Sequence, residues 1–130
     1  MGDHSARSSP TSELPFLSPA EWRIFALLSK RGPLTIRQLV AELAESDPAT
    51  RSYTTILTLA QRLVAKGYLS EGPKAAPRGP ASAITYSASV PHAEALRYHT
   101  ERFLAQYASG DHDDLLAVRR VVDQHLSSGR

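Results

Sequence analysis

The sequence predicts a mainly α-helical chain that carries one small β-hairpin and ends in further helices. Two capping boxes, at Ser18 and Thr35, open helices. Apolar residues then recur with the helical period from Ile56 to Val64. Two short β-type runs flank a Pro/Gly-rich loop. With 130 residues, we expect a disordered leader at 1–15, a folded domain at 16–90 and a helical region at 91–130.

Composition excludes several classes of protein. The chain has no cysteine, which excludes disulfides, thiol nucleophiles and thiolate metal sites. A hydrophobic fraction of 42% is sufficient for a core, and no run approaches the roughly 18 apolar residues of a membrane span. The polar leader lacks the apolar segment of a signal peptide. We therefore expect a cytoplasmic protein without membrane contact.

Positive charge is concentrated in the middle of the chain. The net charge is only +2, but residues 48–82 hold five basic residues and one acid, whereas residues 92–130 hold five arginines and six acids. A basic middle segment favours a polyanionic partner for that segment alone. Ordinary solvated surface charge is the alternative explanation.

The first two helices have clear start and stop signals. Ser18 and Glu21 form the first capping box, and Gly32-Pro33 ends that helix. Its apolar face is broad, so we expect a central core helix with Trp22 in the core rather than stacked on a ligand. Leu34 can form a very short strand before the second helix, which opens with a capping box of Thr35 and Gln38 and breaks at residues 46–48.

The third helix is predicted to begin near Ser52 and to end at Gly67. Its apolar residues, from Ile56 to Val64, recur at i, i+3, i+4, i+7 and i+8. The opposite side is polar and carries no acid. One side of this helix is therefore suited to packing and the other to hydrogen bonding.

A β-hairpin with a basic loop is predicted after the third helix. The runs 68–71 and 83–87 are typical strands, and the loop between them contains Lys74 and Arg78. Three helices followed by a hairpin form the order of a winged helix-turn-helix domain.

Two amphipathic helices follow the hairpin. The last helix has an apolar stripe at spacings of 3, 4 and 4, and a short helix at a chain end is marginal alone. It folds back on its own domain or packs against a second subunit. We favour the dimer, because a single helix-turn-helix module rarely binds DNA tightly. The predicted dimer-interface residues are Leu96, His99, Phe103, Tyr107, Leu115, Val118, Val122 and Leu126.

Three segments together resemble the penicillinase repressor family of winged-helix transcription regulators (BlaI/MecI/CopY type). They are residues 17–22 (LSPAEW), residues 32–43 beginning GPLTIR, and residues 53–69 (YTTILTLAQRLVAKGYL). The resemblance covers about residues 16–108, and the third segment is the most specific.

The resemblance implies a homodimeric repressor on a palindromic operator, with the third helix in the major groove, the wing along the backbone and the C-terminal helices in the dimer interface. Some members of this family are relieved by proteolysis after a sensor protein detects a β-lactam. The loop at 72–82 is longer and richer in proline than is usual in the family, and the segment after Phe103 is shorter. The short segment argues against control by proteolysis here, and the sensor and inducing signal are not identified by the sequence.

The polar side of the third helix is the main candidate site. Threonine hydroxyls near a helix N-terminus suit phosphates or base edges, and an arginine at position 62 suits guanine or phosphate. An interaction module that binds protein instead of DNA is the alternative, and the acid-free face argues against it. The residues predicted to contact double-stranded DNA are Arg37, Arg51, Tyr53, Thr54, Thr55, Thr58, Arg62, Lys74 and Arg78.

The sequence predicts neither an enzyme nor a cofactor. It has no Gly-rich phosphate loop, nucleophile elbow or metal-ligand cluster. His99 is interpreted as a core or interface histidine. The acids beside His112 are interpreted as a charged helix start rather than as a metal site.

Overall fold

The computed structural model of the chain describes residues 14–46, 52–74 and 84–129. These ranges contain a small sheet among helices, which confirms the predicted mainly helical fold class. The elements are α1 (Pro19–Arg31), β1 (Leu34–Thr35), α2 (Ile36–Ser46), α3 (Tyr53–Lys66), β2 (Leu69–Lys74), β3 (Ile84–Ala88), α4 (His92–Tyr107) and α5 (His112–Ser128).

Both predicted capping boxes are present. The Glu21 amide donates to Ser18 Oγ at 3.2 Å, and the Ser18 amide donates to Glu21 Oε1 at 2.9 Å. The same reciprocal bonds join Thr35 and Gln38 at 2.8 and 3.2 Å. Each pair satisfies two backbone donors that the first turn of a helix leaves unpaired.

The ends of α1 and α3 also match the sequence signals. Gly32 ends α1 and Gly67 ends α3, each with φ near +90°, a region that glycine enters without a Cβ clash. The side chain of Ser52 caps the start of α3. The boundaries of the third helix are therefore determined by local chemistry.

The three strands form one antiparallel sheet in the order β1-β3-β2. Leu34 pairs with Tyr86, and Glu71 pairs with the same residue from the other side. The pairing of β2 with β3 shifts between Glu71 and Lys74, where a Cβ on Gly72 would lie 2.7 Å from Thr85 Oγ1. The backbone of Lys74 lies in β2, whereas the sequence placed this residue in the loop.

A core of α1, α2 and α3 closes on the sheet. Phe25 is completely buried and makes an edge-on ring contact with Tyr68 at 5.4 Å. Trp22 was expected in the core, but it is only half-buried, and its ring centre lies 5.4 Å from that of the buried Phe25. The side chains that are at most 1% exposed include Ile24, Phe25, Leu28, Leu39, Leu63 and Tyr68.

The segment before α1 packs on this core. Leu14 and Leu17 are buried, and the Tyr68 hydroxyl donates to the carbonyl of Pro15 at 2.6 Å. Two residues that the sequence assigned to the leader, Leu14 and Pro15, thus have ordered contacts with the domain. The remainder of the predicted leader, 1–13, lies outside the described residues.

The chain divides into two compact units, Met1–Ala95 and Leu96–Arg130, whereas the sequence places the boundary after residue 90. In the second unit, Asp111 caps α5 by accepting from the amides of Asp113 and Asp114. This is the charged helix start expected from the sequence. No helix in the described ranges combines the length and the apolar character that crossing a bilayer requires.

Candidate nucleic-acid interface

The third helix, α3, has one buried side and one exposed side. Its buried residues are Ile56, Leu59, Ala60 and Leu63, and they hold the helix against α1 and α2. The opposite side is accessible and contains no acid. Its exposed residues are Thr54, Thr58, Gln61, Arg62 and Ala65.

Thr55, one of the predicted DNA contacts, takes part in the N-terminal cap of α3. The amide of Thr55 donates to Ser52 Oγ at 3.2 Å, and the two hydroxyls lie 3.2 Å apart. Thr55 is half-buried, while Thr54 and Thr58 are exposed. The Thr55 hydroxyl therefore belongs to the helix cap, and the two exposed threonines are better placed for an external ligand.

Arg37 and Tyr53 lie together at the starts of α2 and α3. The Arg37 guanidinium carbon is 6.0 Å from the centre of the Tyr53 ring, within the range of a cation–π contact. Arg37 is exposed and Tyr53 is half-buried. This contact keeps the Arg37 side chain near the N-terminus of α3, where the backbone amides of the helix also attract anions.

Arg62 and Lys66 lie one turn apart on α3 but have different surroundings. Arg62 is exposed, and no carboxylate of the described residues lies within salt-bridge distance of it. Lys66 instead donates to both carboxylate oxygens of Glu21, at 2.7 and 2.9 Å. Only the first of these two cations is available for a polyanion.

The Glu21–Lys66 pair connects α1 to the C-terminal end of α3. Glu21 is 2% exposed. Burial raises the pKa of its carboxyl, but the hydrogen bonds from Lys66 and Ser18 and the charge of Lys66 outweigh burial and leave the pKa below its ordinary value. The glutamate of the first capping box is thus ionised and also positions the third helix.

Tyr86 is a buried tyrosine on β3, one of the two strands of the hairpin. Burial first, and then the nearby charge of Glu71, raise its pKa above the ordinary value. Its hydroxyl lies 3.5 Å from Glu71 Oε2. Because Tyr86 is buried on the central strand, it supports the sheet and does not face a ligand.

The structure brings Arg37, Tyr53, Thr54, Thr58 and Arg62 onto the α2–α3 surface. Gln61 is also exposed there, although it was not among the predicted contacts; the helical projection, which places it beside the polar face, was the available signal. Arg51 and Arg78 lie outside the described residues, and for Lys74 only the backbone position in β2 is described.

The predicted interface residues of α4 and α5 remain accessible in the single chain. Phe103 and Tyr107 contact each other with ring centres 5.0 Å apart, yet they are 45% and 65% exposed. None of the α5 residues is buried. The other predicted members are exposed (Leu96, Leu115, Val122, Leu126) or half-buried (His99, Val118).

No group of three or more His, Asp or Glu side chains in the described ranges has an arrangement that could hold a metal ion. His99 makes an edge-on ring contact with Tyr98, with centres 5.6 Å apart.

Solved structures with the same fold are similar over most of the chain. A structure described as the complex structure of hsRosR-S4 has a TM-score of 0.54 at 15% identity, covering 92% of this chain and 96% of that one. RV1404 from Mycobacterium tuberculosis has a TM-score of 0.51 at 18% identity, covering 88% and 75%. No individual curated protein matches the sequence.

The family is identified by the sequence itself. The penicillinase repressor family model matches residues 17–128, a range that includes every described helix. The three-helix core, the hairpin and the acid-free face of α3 are the parts that such a regulator requires. The chain belongs to the penicillinase repressor family and is a winged-helix, DNA-binding transcription regulator.

Proposed function

We propose that this protein is a homodimeric repressor that binds a palindromic DNA operator with α3 in the major groove. The acid-free, exposed side of α3 is the observation that carries the proposal. The major groove is about 12 Å wide and admits one α-helix. A helix with a carboxylate on its outer side would be repelled by the phosphates that line this groove.

On the α2–α3 surface, we distinguish residues that would contact phosphates and position the protein from residues that would contact bases and recognise the sequence. Arg37 and the amide end of α3 are suited to phosphates, because charge and free N–H groups meet there. Thr58 and Arg62 lie farther along the helix, where side chains reach base edges: a threonine methyl contacts thymine, and an arginine pairs with guanine. Sequence would therefore be read chiefly from the middle of α3.

The hairpin loop is proposed to grip the flanking backbone. The predicted contacts of the hairpin are Lys74 at the end of β2 and Arg78 in the loop, and no side chain is described for either; Arg51 precedes α3 in the chain. These three residues remain predictions from the charge of the middle segment.

The uncovered apolar residues of α4 and α5 support the homodimer. A 17-residue helix that buries no side chain is marginal by itself in water. The equivalent stripe of a second copy would cover it. Two copies present two α3 helices, and an operator with two half-sites one DNA turn apart matches that symmetry.

Direct DNA binding tests the proposal. Fluorescence anisotropy with a labelled promoter fragment of the protein's own operon is expected to show saturable binding. This binding is expected to persist in the presence of excess random-sequence competitor DNA. The logarithm of the affinity is expected to fall linearly with the logarithm of the salt concentration. Binding with no preference between promoter and random DNA contradicts the repressor assignment, and complete absence of binding favours the protein-interaction module.

A further inference from the structure

The helix α1 carries apolar residues on two sides, and the core uses only one of them. Ile24, Phe25 and Leu28 are buried. Trp22 and Leu27 are half-buried and line a groove on the other side. The broad apolar face seen in the sequence is therefore the sum of a core side and a groove side.

This groove, which we call the Trp22 groove, has a volume of about 550 Å³. Pockets that bind small organic ligands have volumes of about 300–1,000 Å³. All of its lining residues lie in the first compact unit. They are Trp22, Arg23, Ala26, Leu27, Ser29, Lys30, Leu43 and His92.

Aromatic surface forms one wall of the groove. The rings of Trp22 and His92 have their centres 5.4 Å apart at an angle of 40°. Leu27 and the buried Leu43 add aliphatic surface. A flat, apolar ring is the ligand group that such a wall accommodates best.

The polar groups of the groove favour a negative charge. Arg23 and Lys30 are both exposed and lie two turns apart on α1, and none of the described lining residues is acidic. The Ser29 hydroxyl is buried in the wall and has no hydrogen-bond partner within the described part of the chain. The two exposed cations complement a carboxylate.

We propose that the Trp22 groove binds a small aromatic carboxylate, with its ring against Trp22 and its carboxylate between Arg23 and Lys30. The site is separate from the α3 surface. Its lining residues come from α1, from Leu43 of α2 and from His92, the first residue of α4.

The chain provides a direct reporter of binding, because Trp22 is its single tryptophan. We choose 4-iodobenzoate as the probe, since its iodine quenches indole fluorescence on contact. Titration into the full chain is expected to quench Trp22 emission along a saturable curve. The neutral isostere 4-iodobenzamide is expected to bind roughly tenfold more weakly, because it lacks the charge that the cations recognise.

Charge variants locate the site. Arg23→Gln and Lys30→Gln are each expected to weaken 4-iodobenzoate binding by roughly tenfold. Arg31→Gln is the matched control: it removes one positive charge from the same helix, but Arg31 pairs with Glu42 at 2.6 Å and does not line the groove. Circular dichroism melting of each variant verifies that the fold is retained.

Three outcomes contradict the proposal. Quenching that rises linearly without saturation indicates collision with no site. Equal weakening by all three charge variants indicates general attraction to a basic helix. Quenching that appears only when the protein is diluted to monomers indicates that a second copy covers the groove. Because the measurement contains no DNA, its result is independent of whether the protein is shown to bind an operator.

Discussion

The two compact units of this chain differ in the exposure of their apolar side chains. In the first unit, Phe25 and Leu63 are completely buried. In the second unit, Phe103 and Leu126 are 45% and 71% exposed. Both units have regular helices with caps, so the difference is one of packing and not of secondary structure.

The comparison shows that a helix can be well formed locally and still lack a core. Removal of apolar surface from water is the main favourable term in folding. The first unit buries its apolar side chains within a single chain. The second unit has the same kind of residues at helical spacing, but it needs a further surface to bury them, and we propose that a second copy provides it.

Phe25→Ala and Phe103→Ala compare the two units with the same chemical change. Phe25→Ala is expected to destabilise the chain by about 3–5 kcal/mol, because it leaves a cavity in a closed core. Phe103→Ala is expected to cost far less in a monomer, because its ring is already half in water. Urea unfolding followed by circular dichroism, at a protein concentration below the dimer range, measures both. Equal losses would place Phe103 in a core of its own chain.

Val122→Glu tests whether the exposed apolar side chains of the second unit form the dimer interface. A charge in an apolar dimer interface is expected to weaken association roughly hundredfold, because each copy would bury an unpaired carboxylate. Multi-angle light scattering is expected to show the mass of a monomer. Gln124→Glu adds the same charge to α5 outside the predicted stripe and is expected to leave the dimer intact. A persistent dimer of the Val122 variant places the interface elsewhere.

Glu21→Gln tests how the first unit holds α3. The change is expected to cost about 1.5–3 kcal/mol at neutral pH, the usual contribution of hydrogen bonds to a charged group. The pKa of Glu21 is below its ordinary value of 4.5, so the stabilisation is present above that pH and is lost as the pH falls through the folded-state pKa.

Thermal unfolding of the native chain and of Glu21→Gln from pH 7 to pH 3 measures this dependence. The two stabilities are expected to converge at acidic pH, where the native carboxyl is also neutral. A constant difference across this range would mean that the ion pair is not the source of the stabilisation.

Arg62→Ala is the smallest and most local change. Operator affinity is expected to fall by about 1–3 kcal/mol if Arg62 reads a base, while the unfolding free energy stays within the range of a surface substitution. Arg97→Ala is the control, since this exposed arginine pairs with Glu101 on α4. Unchanged affinity of the Arg62 variant, measured by fluorescence anisotropy, removes this residue from the interface.

Local chemistry made much of the first unit predictable. The capping boxes at Ser18 and Thr35 and the terminal glycines 32 and 67 appear in the structure at the predicted places. Each depends on residues within four positions of one another. The 3.6-residue period then predicted which side of α3 is buried, since periodicity reports a face directly.

Contacts between distant residues were not predictable. Glu21 and Lys66 lie 45 positions apart, so no spacing rule links them, and the sequence counted Lys66 among the cations of a basic segment. The hydrogen bond from Tyr68 to Pro15 is equally non-local, so local sequence signals do not indicate that the end of the predicted leader contacts the domain. Trp22 illustrates the same limit. Periodicity shows that α1 has a broad apolar face, but it does not show that part of this face packs in the core and part lines a groove.

The caps of α3 have a thermodynamic consequence for recognition. Ser52 and Gly67 satisfy both ends of α3 with groups of the chain itself, so a docking partner does not have to order the helix. Association would then resemble the meeting of two preformed bodies, with a modest negative heat-capacity change set by the contact area, instead of the large change that accompanies folding upon binding. Calorimetry at several temperatures would reveal this directly as a shallow slope of the binding enthalpy.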